Sequence, residues 1–268
     1  RAPLLAQLVA ELDDQDAVLA DQPDERDQSD LRVHVQRAPA PLQRRERADH
    51  SLAPTALIDS DHPTVIDFAR RHAVGADERE RAVALYYAVR DGFRYDPYHF
   101  DMSEVGLKAS QVVESGRGFC VPKATLLAAA ARVLGVPARL GFADVRNHLT
   151  SPRLREMMNT DVFAYHGYTE LLIDGRWLKA TPAFNLSLCQ KAGVKPLEFD
   201  GSADSIFHEF DNQGRRHMEY INDRGAYADV PREEMLQAFE SLYPNYKTWM
   251  QHTASADFER DVRPGVAK

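Results

Sequence analysis

Cysteine is scarce in this chain of 268 residues: only Cys120 and Cys189 are present. Two thiols cannot build a disulfide framework or a thiolate metal cage, so a reducing, cytoplasmic compartment is the expectation. Long apolar runs are missing too. The longest nearly unbroken one, Leu126–Ala131, falls far short of the roughly 18 residues needed to span a bilayer, so no membrane segment is expected. There is no basic excess. Lys and Arg number 33 against 41 Asp and Glu, a formal charge of −8, whereas a general nucleic-acid binder would present a basic face. The remaining balance, 44% apolar and 28% charged, is that of a soluble globular protein. The chain opens at Arg1 rather than methionine, which leaves a removed signal peptide open. The sequence sets no oligomeric state.

The first 50 residues lack still more. They hold no Gly, Phe, Tyr, Trp, Lys, Ile or Met, and an acidic stretch (11–30) is followed by an Arg-rich one (32–47). Apart from a short amphipathic stretch at 3–12, such a segment cannot bury enough apolar surface to offset its ordering entropy. Residues 1–50 therefore read as a disordered leader. Two alternatives stand beside it: an early start codon that adds non-native sequence, or a partner-binding arm. Residues 51–268 read as one folded domain.

Within that domain, helices are expected at 61–73, 77–90, 109–114, 119–134 and 231–242, and strands at 136–145, 162–173 and 176–183. Helices come first and an antiparallel sheet follows, so the fold class is α+β.

Gly116-Arg117-Gly118-Phe119-Cys120-Val121-Pro122 marks a helix start. Proline fits only the first helical turn, which puts Cys120 at the N-terminus, where free amides and the helix dipole favour a thiolate. Cys120, Ala124, Leu127, Ala131 and Leu134 share one stripe that should face the core. Two readings remain: a buried inert thiol or an activated nucleophile. Cys189 has no such context and reads as a buried hydrophobe.

Asp174-Gly175 separates two apolar runs, a strong hairpin signal. A two-residue loop pairs Ile173 with Arg176 and Glu170 with Lys179. Extended further, the register sets Tyr168 opposite Thr181 and His166 opposite Ala183. His166 then has Thr181 and Asn185 on its two diagonals, as an oriented base requires. The plainer reading is a histidine satisfied in the core or at the surface.

Gly118-Phe119-Cys120, then Gly135-Val136-Pro137-Ala138-Arg139, then His166-Gly167-Tyr168-Thr169-Glu170 and Gly175-Arg176-Trp177 follow one another in order. Over roughly residues 60–185 this series resembles the transglutaminase-like superfamily. The resemblance implies a papain-like α+β core and a Cys-His-Asp site for amide acyl transfer or hydrolysis on a peptide or protein substrate. It makes Cys120 the nucleophile and His166 the base, with no external cofactor. Two positions depart from the pattern. Tyr168 stands where the family has tryptophan, and Thr181 where it has aspartate. Thr181 is the expected orienter and Asn185 the alternative, since asparagine serves as third member in papain-like enzymes. The missing aspartate also supports a different reading, an inactive peptide-binding or scaffolding domain.

Tyr168, His148 and Gln111 complete the candidate set as substrate-binding residues. A short helix at 151–160, between the Pro-Ala-Arg strand and the histidine strand, is expected to overhang the site, with Met157 and Met158 as adaptable apolar contacts. No pair of histidines or cysteines has ligand spacing and no EF-hand loop is present, so no metal is expected.

Overall fold

A computed structural model describes residues 50–148, 151–206, 210–243, 245–249 and 256–262. The expected leader, His50 apart, lies outside them. The elements in chain order are α1 (Pro63–His72), α2 (Glu78–Gly92), β1 (Arg94–Tyr95), α3 (Glu104–Leu107), α4 (Ala109–Ser115), β2 (Arg117–Gly118) and α5 (Cys120–Val133). Then follow β3 (Ala138–Asn147), α6 (Pro152–Met158), β4 (Val162–Ile173), β5 (Arg176–Ala180), α7 (Leu186–Ala192), β6 (Met218–Tyr227), α8 (Arg232–Leu242) and α9 (Phe258–Asp261). This is the expected α+β order, helices first and an antiparallel sheet after.

Local chemistry sets most boundaries. Pro63 opens α1, and the Asp77 carboxylate accepts from the Glu80 amide to cap α2. Ser151 caps α6 through the Leu154 amide, with Pro152 in its first turn. The sheet runs β5-β4-β3-β6, with every neighbour antiparallel.

Helix α5 packs against α1, α2, α4, β3 and β4. The stripe expectation was too narrow, because every residue from Cys120 to Arg132 is buried. A helix apolar nearly all round belongs inside a core. Two cations are enclosed with it and satisfied by backbone. Lys123 Nζ donates to the carbonyls of Arg90, Phe93 and Ala183 at 2.8, 2.7 and 2.8 Å, although burial pushes its ammonium down to about 7. Arg132 donates to the carbonyls of Ala53, Ala138 and Ala228. The two cations tie α5 to the C-terminal end of α2 and to loops far away in sequence.

The hairpin register holds from Ile173↔Arg176 to Thr169↔Ala180 and stops there. Pro182 follows, and the Thr181 amide donates instead to the Ser205 carbonyl. The expected pairings of Tyr168 with Thr181 and His166 with Ala183 therefore do not form. Glu170 is opposite Lys179, but its carboxylate is held by Arg139 Nε at 2.6 Å. Strand β6 and helix α7 lacked a clear sequence signal. β6 is bulged and half exposed, so it shows no clean alternation.

Candidate active site

Cys120 is the first residue of α5, and no side chain caps the helix ahead of it. The parallel pairing of β1 with β2 fixes the approach, setting Tyr95 beside Gly118 two residues before the thiol. Burial pushes the Cys120 thiol up to about 11, and the backbone amides of Gly167, Val121 and Cys120 itself pull against it. The expected helix-terminus effect is present, but desolvation outweighs it.

The Gly167 amide bears on the thiol because α5 lies close against β4. A Cβ at Gly167 would stand 3.1 Å from Val121 Cα and 3.1 Å from its Cγ2. Only glycine lets the first turn of α5 come this near, and the approach brings Cys120 beside the His166–Gly167 peptide. His166 is 5% exposed. Burial lowers its pKa to about 4, so the imidazole is neutral, and its Nδ1 has no hydrogen-bond partner among the described residues.

Both side chains line one apolar cavity that is in part open to solvent. Its other walls come from two sources. Tyr95, Phe100 and Phe119 come from the segments that precede α5. Leu154 and Met158 of α6, with Phe239, Tyr243 and Trp249, cover it from later in the chain, and Phe100 packs directly against Phe239 and Trp249. The cover is fastened by hydrogen bonds: Tyr243 Oη accepts from the Ala164 amide and donates to the Val162 carbonyl, and Trp249 Nε1 donates to the Met157 carbonyl. Helix α6 thus overhangs the site as expected, through Met158 directly and through the Met157 backbone.

Neither expected orienter bonds His166. Thr181 Oγ1 donates to the Ile206 carbonyl at 2.8 Å. Asn185 Oδ1 accepts from the Tyr95 amide and its Nδ2 donates to Ser187. The physical reason is the early end of the β4–β5 ladder, which carries both residues off the diagonals of His166. The expected substrate-binding residues also lie elsewhere. Tyr168 is buried against Gly141, Ala143 and Val145, where a Cβ on Gly141 would fall 2.1 Å from its ring. His148 Nε2 sits 3.4 Å from Glu219. Gln111 is half-buried on α4 and does not line the cavity. The aromatic cover residues escaped sequence reasoning because nothing in a late amphipathic helix signals which cavity it closes.

Residues 66–182 match the transglutaminase-like superfamily. No curated protein matches the chain. Among solved structures, the chain is similar to a candidate cysteine protease from Cytophaga hutchinsonii, at 15% identity and a TM-score of 0.44. The likeness covers 74% of this chain and 52% of that one, so the chain spans about half the length of that protein.

Proposed function

We propose that Cys120 and His166 form a dyad for amide acyl transfer or hydrolysis on a peptide or protein substrate, a reading supported by the match of residues 66–182 to the transglutaminase-like superfamily. The observation that supports this most directly is the convergence of an uncapped helix N-terminus, its cysteine and a strand histidine on one cavity. In the reaction, His166 takes the Cys120 proton and the thiolate attacks the substrate carbonyl. In this reading the amides of Cys120 and Gly167 hold the oxyanion. The C–N bond then breaks, the amine leaves with the proton from His166, and a thioester remains. Water or a second amine resolves it. In this reading both groups are buried and neutral at rest, and the α6 and Trp249 wall of the cavity moves to admit substrate.

A specific observation favours a second reading, an inactive peptide-binding domain. The family aspartate is Thr181, and its hydroxyl is spent on Ile206. One experiment separates the two. The native protein and its Trp249→Ala, His166→Ala and Cys120→Ala forms are treated briefly with iodoacetamide and mapped by mass spectrometry. The dyad reading expects Cys120 to label before Cys189, about tenfold faster in Trp249→Ala and slower in His166→Ala. Equal Cys120 rates with and without His166 would leave the inactive domain as the answer.

A further inference from the structure

Consecutive residues of a regular strand point to opposite faces. Yet Phe163, Ala164, Tyr165 and His166 all line the Cys120 cavity. The cause is a bulge. Ala143 pairs with His166 and Val145 with Phe163, so Ala164 and Tyr165 together oppose Asp144. Tyr165 takes φ = 54°, a left-handed conformation that is strained for a bulky residue and persists only where its surroundings enforce it.

A second bulge faces the first from the other side of β3. Phe142 pairs with Gly225 and Ala143 with Asp223, leaving Arg224 as the extra residue beside Gly225 at φ = 84°. The two extra residues meet at Asp144. Its Oδ1 accepts from the Tyr165 amide at 3.1 Å and from Arg224 Nε at 2.6 Å. Asn222 Nδ2 lies 3.4 Å from Oδ2, and the Arg224 guanidinium stacks 4.1 Å over the Tyr165 ring. Asp144 is buried, so this is an enclosed charge pair whose members satisfy one another and a strained peptide.

We infer that Asp144 and Arg224 are positioning residues: they lock the Tyr165 bulge and thereby turn the His166 imidazole into the Cys120 cavity. Its catalytic consequence rests on the dyad reading above; its structural content does not. Arg224 lies on β6, beyond the stretch that matches the superfamily. The geometry of the base thus depends in part on a residue outside the matched stretch.

The test uses the full chain with Asp144→Ala, Arg224→Met and Arg224→Lys, each also made in a Tyr165→Gly background. The first readout is the His166 ring, followed by NMR titration; the second is the Cys120 alkylation rate. In Asp144→Ala and Arg224→Met the ring should leave its apolar site and its pKa rise by about one unit or more toward the ordinary value. Cys120 alkylation should change about tenfold, and Arg224→Lys, which keeps the charge on Asp144, should recover most of the wild-type behaviour. In the Tyr165→Gly background the same substitutions should move either readout less than about twofold, because glycine holds the left-handed turn unaided. An unchanged His166 titration in Asp144→Ala would overturn the inference. So would an Asp144→Ala effect of equal size with Tyr165→Gly present. If His166→Ala leaves alkylation unaltered, the dyad reading fails instead, and the His166 titration still decides the role of the clamp.

Discussion

The two halves of the candidate site are built by different rules. On the thiol side, Gly118, Pro122 and an uncapped helix start fix Cys120 within a few residues of chain. On the imidazole side, His166 reaches the same cavity only through a bulge held by Asp144 and Arg224, under a cover fastened by Tyr243 and Trp249. A helix terminus is a local object, since its free amides and dipole follow from a handful of residues. A bulge is a compromise among three strands and changes with its neighbours. The nucleophile is therefore encoded locally, and the base is encoded by contacts distant in sequence.

Four substitutions probe that contrast. The largest effect is expected at Lys123, which anchors the thiol helix to α2 and to the Ala183 loop. Lys123→Met would leave three buried carbonyls without their donor, at a cost of about 4 kcal/mol in denaturant unfolding. A loss under about 1 kcal/mol would show that the thiol side does not depend on this anchor.

Next is the pH response of the imidazole side. The folded His166 pKa is depressed to about 4, below its ordinary 6.5. Between those values the unfolded chain binds more protons than the folded one, so stability rises with pH across that window and is lost on acidification through it. The contribution is on the order of 3 kcal/mol, at about 1.4 kcal/mol per unit. His217 is depressed to about 4 in the same direction, so the informative quantity is a difference. The stability of His166→Phe, measured from pH 4 to 7, should depend on pH less steeply than that of the wild type. Parallel curves would mean that His166 is not held neutral in the fold.

Gly167→Ala tests the junction between the halves. Its new Cβ meets Val121 at 3.1 Å on the rigid first turn of α5, so about 2 kcal/mol of stability should be lost. The Cys120 alkylation rate should shift as the Gly167 amide moves off the sulfur. Wild-type stability with wild-type thiol reactivity would show that the two elements can part freely.

The smallest effect is expected at Thr181. Thr181→Val removes the hydrogen bond to Ile206 and should cost about 1 kcal/mol. His166 ring resonances should stay in place. A displaced His166 signal would instead restore Thr181 as the orienter that the hairpin register suggested.

The sequence by itself determined the α+β order, the start of α5 at Cys120, the turn at Asp174-Gly175 and its register through Glu170↔Lys179. Each follows from rules that act over a few residues: proline in a first turn, Asp-Gly in a two-residue loop, alternation along a strand. Tertiary structure alone decided that the ladder ends at Ala180, that Tyr165 adopts a left-handed bulge and that Phe239, Tyr243 and Trp249 cover the cavity. It also decided that Cys120 is neutral at rest. A helix terminus lowers a thiol pKa by a local field, but burial raises it according to everything packed around it, and no short window of sequence contains that sum.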